Sequence, residues 1–116
     1  MPLTVDKKWL RLKRWLRREF PPRYPVTIRR TSFREKFHGY TVFLDDDLRF
    51  VIRVRIDQST ALQIDTLIHE YAHVLAWFGL DEDVHAEEWG VAYARIYRAF
   101  IEWDFGRPRK DNGQCD

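Results

Sequence analysis

Apolar residues recur at helical spacing near both ends of the chain and alternate with polar ones between. Over residues 6–20, Trp9, Leu12, Trp15, Leu16 and Phe20 form one arc while Arg11, Arg14, Arg17 and Arg18 crowd the opposite side. That pattern predicts an amphipathic helix. Pro21, Pro22 and Pro25 end it, because proline has no N–H to give and its ring clashes with the turn before it. The period then falls to two. Residues 24–31, 40–44 and 48–56 read as strands, the last two joined by the acidic turn Asp45-Asp46-Asp47. In the third, Phe50, Ile52, Val54 and Ile56 alternate with Arg49, Val51, Arg53 and Arg55, which predicts a half-buried strand with a basic outer face.

Helical spacing returns with Ile64, Leu67, Ile68, Tyr71, Leu75 and Phe78. Thr60 and Gln63 have capping-box spacing at its start, and Gly79 supplies a stop. Three acids in Leu80-Asp81-Glu82-Asp83-Val84 suit a helix N-terminus. A last helix over residues 84–103 then carries the stripe Trp89, Ala92, Tyr93, Ile96, Phe100 and Trp103. The short turn between these two helices makes them antiparallel neighbours. The expected fold is α+β: an N-terminal helix, a small three-stranded sheet of antiparallel type, and two antiparallel helices. At 116 residues there is room for one domain, placed at 1–105, with a polar tail at 106–116.

Within the second helix stands His69-Glu70-Tyr71-Ala72-His73. Residues i and i+4 share a helix face, so two imidazoles can reach one metal ion, and Glu70 projects about 100° away, beside the metal rather than on it. A general base that takes a proton from a metal-bound water belongs there. A chain of this composition carries H-E-x-x-H by chance roughly once in a hundred shuffles, so the context matters. Both histidines fall nearly opposite the apolar stripe, on the side of Asp65, Thr66 and Ala76, which favours a cleft-facing pair over core packing.

A catalytic zinc takes three protein ligands and keeps one open position. Only His38 and His85 remain as further histidines, and the antiparallel turn brings His85, one turn before Trp89, back toward the pair. His85 is therefore the third candidate ligand, with Glu88 as a competing carboxylate in a gluzincin-like site. Ala76 and Gly79 occupy the positions where a metzincin needs glycine and histidine. Tyr93, Tyr97 and Tyr40 are candidate donors to an oxyanion. A different class of reading is a non-catalytic nucleic-acid-binding module with structural zinc. It lacks a fourth ligand other than His38.

The segments Thr66-Leu67-Ile68-His69-Glu70-Tyr71-Ala72-His73-Val74-Leu75 and His85-Ala86-Glu87-Glu88-Trp89 resemble the metallopeptidase domain of the SprT-like, or Spartan-type, family. That family carries T-L-x-H-E-x-x-H and then H-G-x-x-W, and the likeness spans roughly residues 50–97. It implies a zincin-like fold and peptide-bond hydrolysis, with zinc on His69, His73 and His85, Glu70 as the base, and Trp89 as the aromatic after the third histidine. Ala86 stands where the family has glycine. The resemblance further implies a peptide substrate bound as an added strand, and action on nucleic-acid-associated proteins.

Charge adds a partner. Residues 1–34 hold 11 Lys or Arg against 2 Asp or Glu, whereas residues 59–104 hold 2 against 9, within a total of only +2. The basic stripe Arg11, Arg14, Arg17 and Arg18 suits nucleic acid or an anionic membrane. An aromatic content of 16% with five Trp is more than so small a core needs, and part of it suits a groove. No apolar run reaches the roughly 20 residues of a membrane span, no signal-peptide pattern is seen, and Cys115 has no internal partner. The expected compartment is the cytoplasm.

Overall fold

A computed structural model describes residues 5–34, 36–77 and 87–106. The elements run α1 (Val5–Glu19), β1 (Val26–Thr31), β2 (Gly39–Leu44), β3 (Arg49–Arg55), α2 (Thr60–Leu75) and α3 (Glu87–Gly106). The expectations for Phe78, Gly79, the acids at 81–83, His85 and residues 107–116 lie outside the described residues. Gly106, expected in the tail, is the last residue of α3. No helix among the described residues is long and apolar enough to cross a membrane.

The sheet is mixed rather than antiparallel. Its order is β1-β3-β2, with β1 parallel to β3 (Val26 opposite Phe50, Arg29 opposite Arg53) and β2 antiparallel to it (Tyr40 opposite Arg53, Phe43 opposite Phe50). The acidic turn makes β2 and β3 a hairpin, so β3 must lie beside β2. β3 also has the cleanest alternation. Its inward Phe50, Ile52 and Val54 are at most 2% exposed, a degree of burial that a central strand secures better than an edge. β1 therefore takes β3's other edge. The seven residues between β1 and β2 easily reach across two strand spacings, about 10 Å.

α2 packs on one face of the sheet against β2 and β3, α3 packs against α2, and α1 joins the same core. Trp9, Leu12, Trp15 and Leu16 of α1 are buried as the arc predicts, and Trp15 stacks on Trp103 of α3 with centroids 5.1 Å apart. Tyr71 of α2, fully buried, donates its hydroxyl to the Phe20 carbonyl at 2.8 Å. On α3 Ala92, Ile96 and Phe100 are buried, in line with the expected stripe.

Both ends of α2 differ from expectation. Ser59, not Thr60, is the N-cap: its hydroxyl accepts the Leu62 N–H at 3.2 Å. Gln63 is drawn elsewhere, its amide donating to the Ile56 and Gln58 carbonyls at 3.1 and 2.9 Å, so no capping box forms. The helix ends at Leu75 with Ala76 as C-cap, ahead of Gly79. α2 is also buried on nearly every side, Thr66, His73 and Ala76 included, because the sheet and α3 cover it from opposite directions.

Candidate metal and catalytic centre

His69 and His73 lie one turn apart on α2 with ring centroids 5.2 Å apart. The face they share is lidded by α3 rather than open. Trp89 packs against both rings, at 4.8 Å from His69 and 5.6 Å from His73, and its indole N–H donates to the His69 carbonyl at 3.1 Å. His73 is consequently only 8% exposed. The apolar stripe put the pair opposite the core, but Trp89 and the rest of α3 make that side a second interior.

Glu70 turns toward the sheet. Its carboxylate accepts the Thr41 hydroxyl of β2 at 2.7 Å, and its other oxygen lies 3.9 Å from His69 Nε2. Burial raises its pKa above the ordinary value, and the Thr41 hydrogen bond pulls partly the other way by favouring the charged form. A basic, desolvated carboxylate next to the His69 imidazole is chemically a proton acceptor. In front of it opens a cleft of about 240 Å³, bounded by Leu62, Asp65, Thr66, His69 and Glu70 on α2 and by Phe37, His38 and Gly39 on the β2 side.

The donor set fits zinc in part. Two imidazoles at i and i+4 and an adjacent carboxylate are in place, but among the described residues no three of His, Cys, Asp and Glu converge. His85, the expected third ligand, lies outside the described residues. Glu88 is exposed and borders a different groove with Leu75, Ala76 and Arg95, so it does not join the pair. His38 is at the cleft, its Nδ1 2.9 Å from Gln58 Oε1, but it does not converge with His69 and His73 on a common donor group, so the structural-zinc reading has no fourth ligand among the described residues. Comparison with protein-family models, curated proteins and solved structures finds no match to this chain.

The three tyrosines separate cleanly. Tyr40 points to the face of the sheet away from α2, since its neighbour Thr41 points inward to Glu70. Tyr97 packs on Tyr93 and Phe100, further along α3. Tyr93 stacks on Trp89, stands 6.0 Å from the His69 ring and donates to Asp65 at 2.8 Å. Burial, then the hydrogen bond and charge of Asp65, raise the pKa of its phenol, so it stays protonated. Sequence reasoning missed Thr41, and it named Asp65 only as a neighbour on the histidine side of the helix. The alternation along β2 puts Thr41 on the side opposite Tyr40, which was the one available signal.

The α1 arginines are partly engaged. Arg11 lies 5.7 Å over Trp103, Arg17 donates to the Val26 carbonyl at 2.7 Å, and Arg18 pairs with Glu19 at 3.3 Å.

Proposed function

We propose that this chain is a zinc-dependent metallopeptidase of the H-E-x-x-H type, as the resemblance to the SprT-like family implies. The observation that carries the reading is the side-by-side pair His69 and His73 with the buried Glu70 carboxylate next to it, all three on one helix beneath the β2 edge. His69 and His73, with His85 as third ligand, would hold the ion. Zinc bound there would polarise a peptide carbonyl and lower the pKa of a coordinated water.

The chain's own groups do the rest. Glu70 receives the water's proton at its carboxylate and delivers it to the leaving amine. Thr41 holds that carboxylate in one rotamer, and Trp89 fixes the orientation of both imidazoles. Tyr93 is our candidate donor to the oxyanion because it stands beside the His69 ring, and its hydroxyl would first have to leave Asp65. β2 is an edge strand, so an extended polypeptide can add to it and carry its scissile bond past the cleft. Proteins bound to nucleic acid are a substrate class consistent with the basic N-terminal half.

The test combines metal analysis with one isosteric substitution. Purified protein reconstituted with zinc is expected to hold one ion per chain, and His69→Ala, His73→Ala and His85→Ala each to lose it. Glu70→Gln is expected to keep zinc and fold while turnover of an unfolded protein substrate falls by at least about 10²-fold, the cost of losing a general base. Absence of zinc after reconstitution, or unchanged turnover in Glu70→Gln, would overturn the reading.

A further inference from the structure

The core lies on one face of the sheet, while on the other Phe33 and Phe37 from the connection between β1 and β2 pack against Tyr40 and leave the rest of that face open among the described residues. Thr27, Arg29, Tyr40, Val42, Val51 and Arg53 lie on that outer face and none is buried, whereas their inward neighbours Val26, Ile28, Phe50, Ile52 and Val54 all are. Strand register sets Arg29, Arg53 and Tyr40 in one row across the sheet, on adjacent strands about 4.8 Å apart. Arg29 and Arg53 are exposed and have no hydrogen-bond or ion-pair partner among the described residues. Their neighbours on this face are engaged: Arg49 donates to Thr27, and Arg55 pairs with Asp57. Arg55 also donates to the Phe33 and Phe37 carbonyls and lies 4.8 Å over the Phe33 ring. It thereby holds an aromatic cluster against Tyr40, in which Phe37 is 51% exposed.

We propose that the outer face of the sheet is a binding platform for single-stranded nucleic acid, with Arg29 and Arg53 on phosphates and Tyr40 and Phe37 stacking on bases. The register sets two guanidinium groups beside the Tyr40 ring in one row. Bases and phosphates alternate in the same way along a single strand, and every base has a face to stack. An acidic peptide would pair with the two arginines, as arginine clusters take acidic motifs, but would leave the Tyr40 and Phe37 rings without a stacking partner. The positive potential extends to the β1 edge. Besides burial, the charges of Arg17, Arg30 and Arg29 hold Lys13 below its ordinary pKa. On α1, where a nucleic-acid site was expected, Arg11, Arg17 and Arg18 are engaged within the chain, whereas Arg29 and Arg53 have no such partner among the described residues. Binding at the sheet face does not require bound zinc, although Phe37 also borders the cleft beside Glu70.

The experiment is fluorescence anisotropy of labelled oligothymidylate and oligouridylate with the whole chain, titrated over salt. Two phosphates neutralised on a single strand imply a slope of log affinity against log salt of about −1.4. Arg29→Gln with Arg53→Gln is expected to weaken binding at least tenfold and flatten the slope, and Tyr40→Ala to weaken it about tenfold, the loss of one stack. In unaltered protein, photocrosslinking of the oligonucleotide is expected to label the Tyr40 peptide, a readout free of any folding effect of substitution. Binding that polyglutamate displaces as well as an oligonucleotide does would overturn the proposal. So would tighter binding to duplex than to single strand, association only with phosphatidylserine vesicles, loss only on Arg14→Gln with Arg18→Gln, or no binding at low salt.

Discussion

A carboxyl group buried as deeply as that of Glu70 needs a donor, and Thr41 supplies one across the gap between α2 and β2. Thr41→Val keeps the volume and removes the hydroxyl, leaving the carboxylate without that bond. The expected loss is about 1–3 kcal/mol of folding stability, with Thr41→Ser close to the unaltered protein. Denaturant unfolding measures both, and a Thr41→Val midpoint unchanged would mean the bond contributes nothing net. The contrast between these two residues explains what the sequence could reveal. His69, Glu70 and His73 were legible because i to i+4 spacing is local and fixed by helix geometry. Thr41 meets Glu70 across 29 positions and through a sheet register that no local pattern encodes. The cap of α2 was missed for a subtler reason. Ser59 and Thr60 are adjacent hydroxyls, and the choice between them follows from Gln63, whose amide is claimed by the Ile56 and Gln58 carbonyls.

At the scale of elements, β2 sits against α2 only because Gly39 has no side chain. A Cβ there would stand 2.6 Å from the Thr66 methyl and 2.7 Å from the Arg53 carbonyl oxygen. The methyl can rotate away. The carbonyl belongs to the central strand and cannot. Gly39→Ala is therefore expected to push β2 outward and destabilise the fold by about 1–3 kcal/mol, the usual cost of overpacking. Pairing it with Thr66→Ser, which removes only the methyl, is expected to restore part of the loss. Urea unfolding of the single and double variants measures this, and a neutral Gly39→Ala would mean that β2 lies further from α2. The strands themselves were legible from alternation, most clearly in β3. Strand direction was not, because pairing of β1 with β3 is decided by which strand gains most from being central, a comparison across the whole sheet.

At the scale of the molecule, the basic residues of the N-terminal half divide between α1 and the strand side of the fold. Arg29 from the basic half and Arg53 from the middle meet on the outer sheet face, while His69 and His73 lie on α2 behind it. Because α2 touches β2, β3 and α3, an ion held by its two histidines is tied to the whole core rather than to a loop. A ligand that binds only the folded state stabilises it by mass action, about 4 kcal/mol at a free concentration a thousandfold above the dissociation constant. For a domain of this size that corresponds to a rise in Tm of about 10–20 °C. The expected outcome is one cooperative thermal transition, seen alike by far-UV circular dichroism and by tryptophan fluorescence, that moves up with zinc and down with chelator. His73→Ala is expected to abolish the shift and Glu70→Gln to preserve it, since only the first removes a ligand. Identical melting in zinc and in chelator would remove the metal from the account of this helix pair. A shift seen by fluorescence alone would confine it to the surroundings of Trp89.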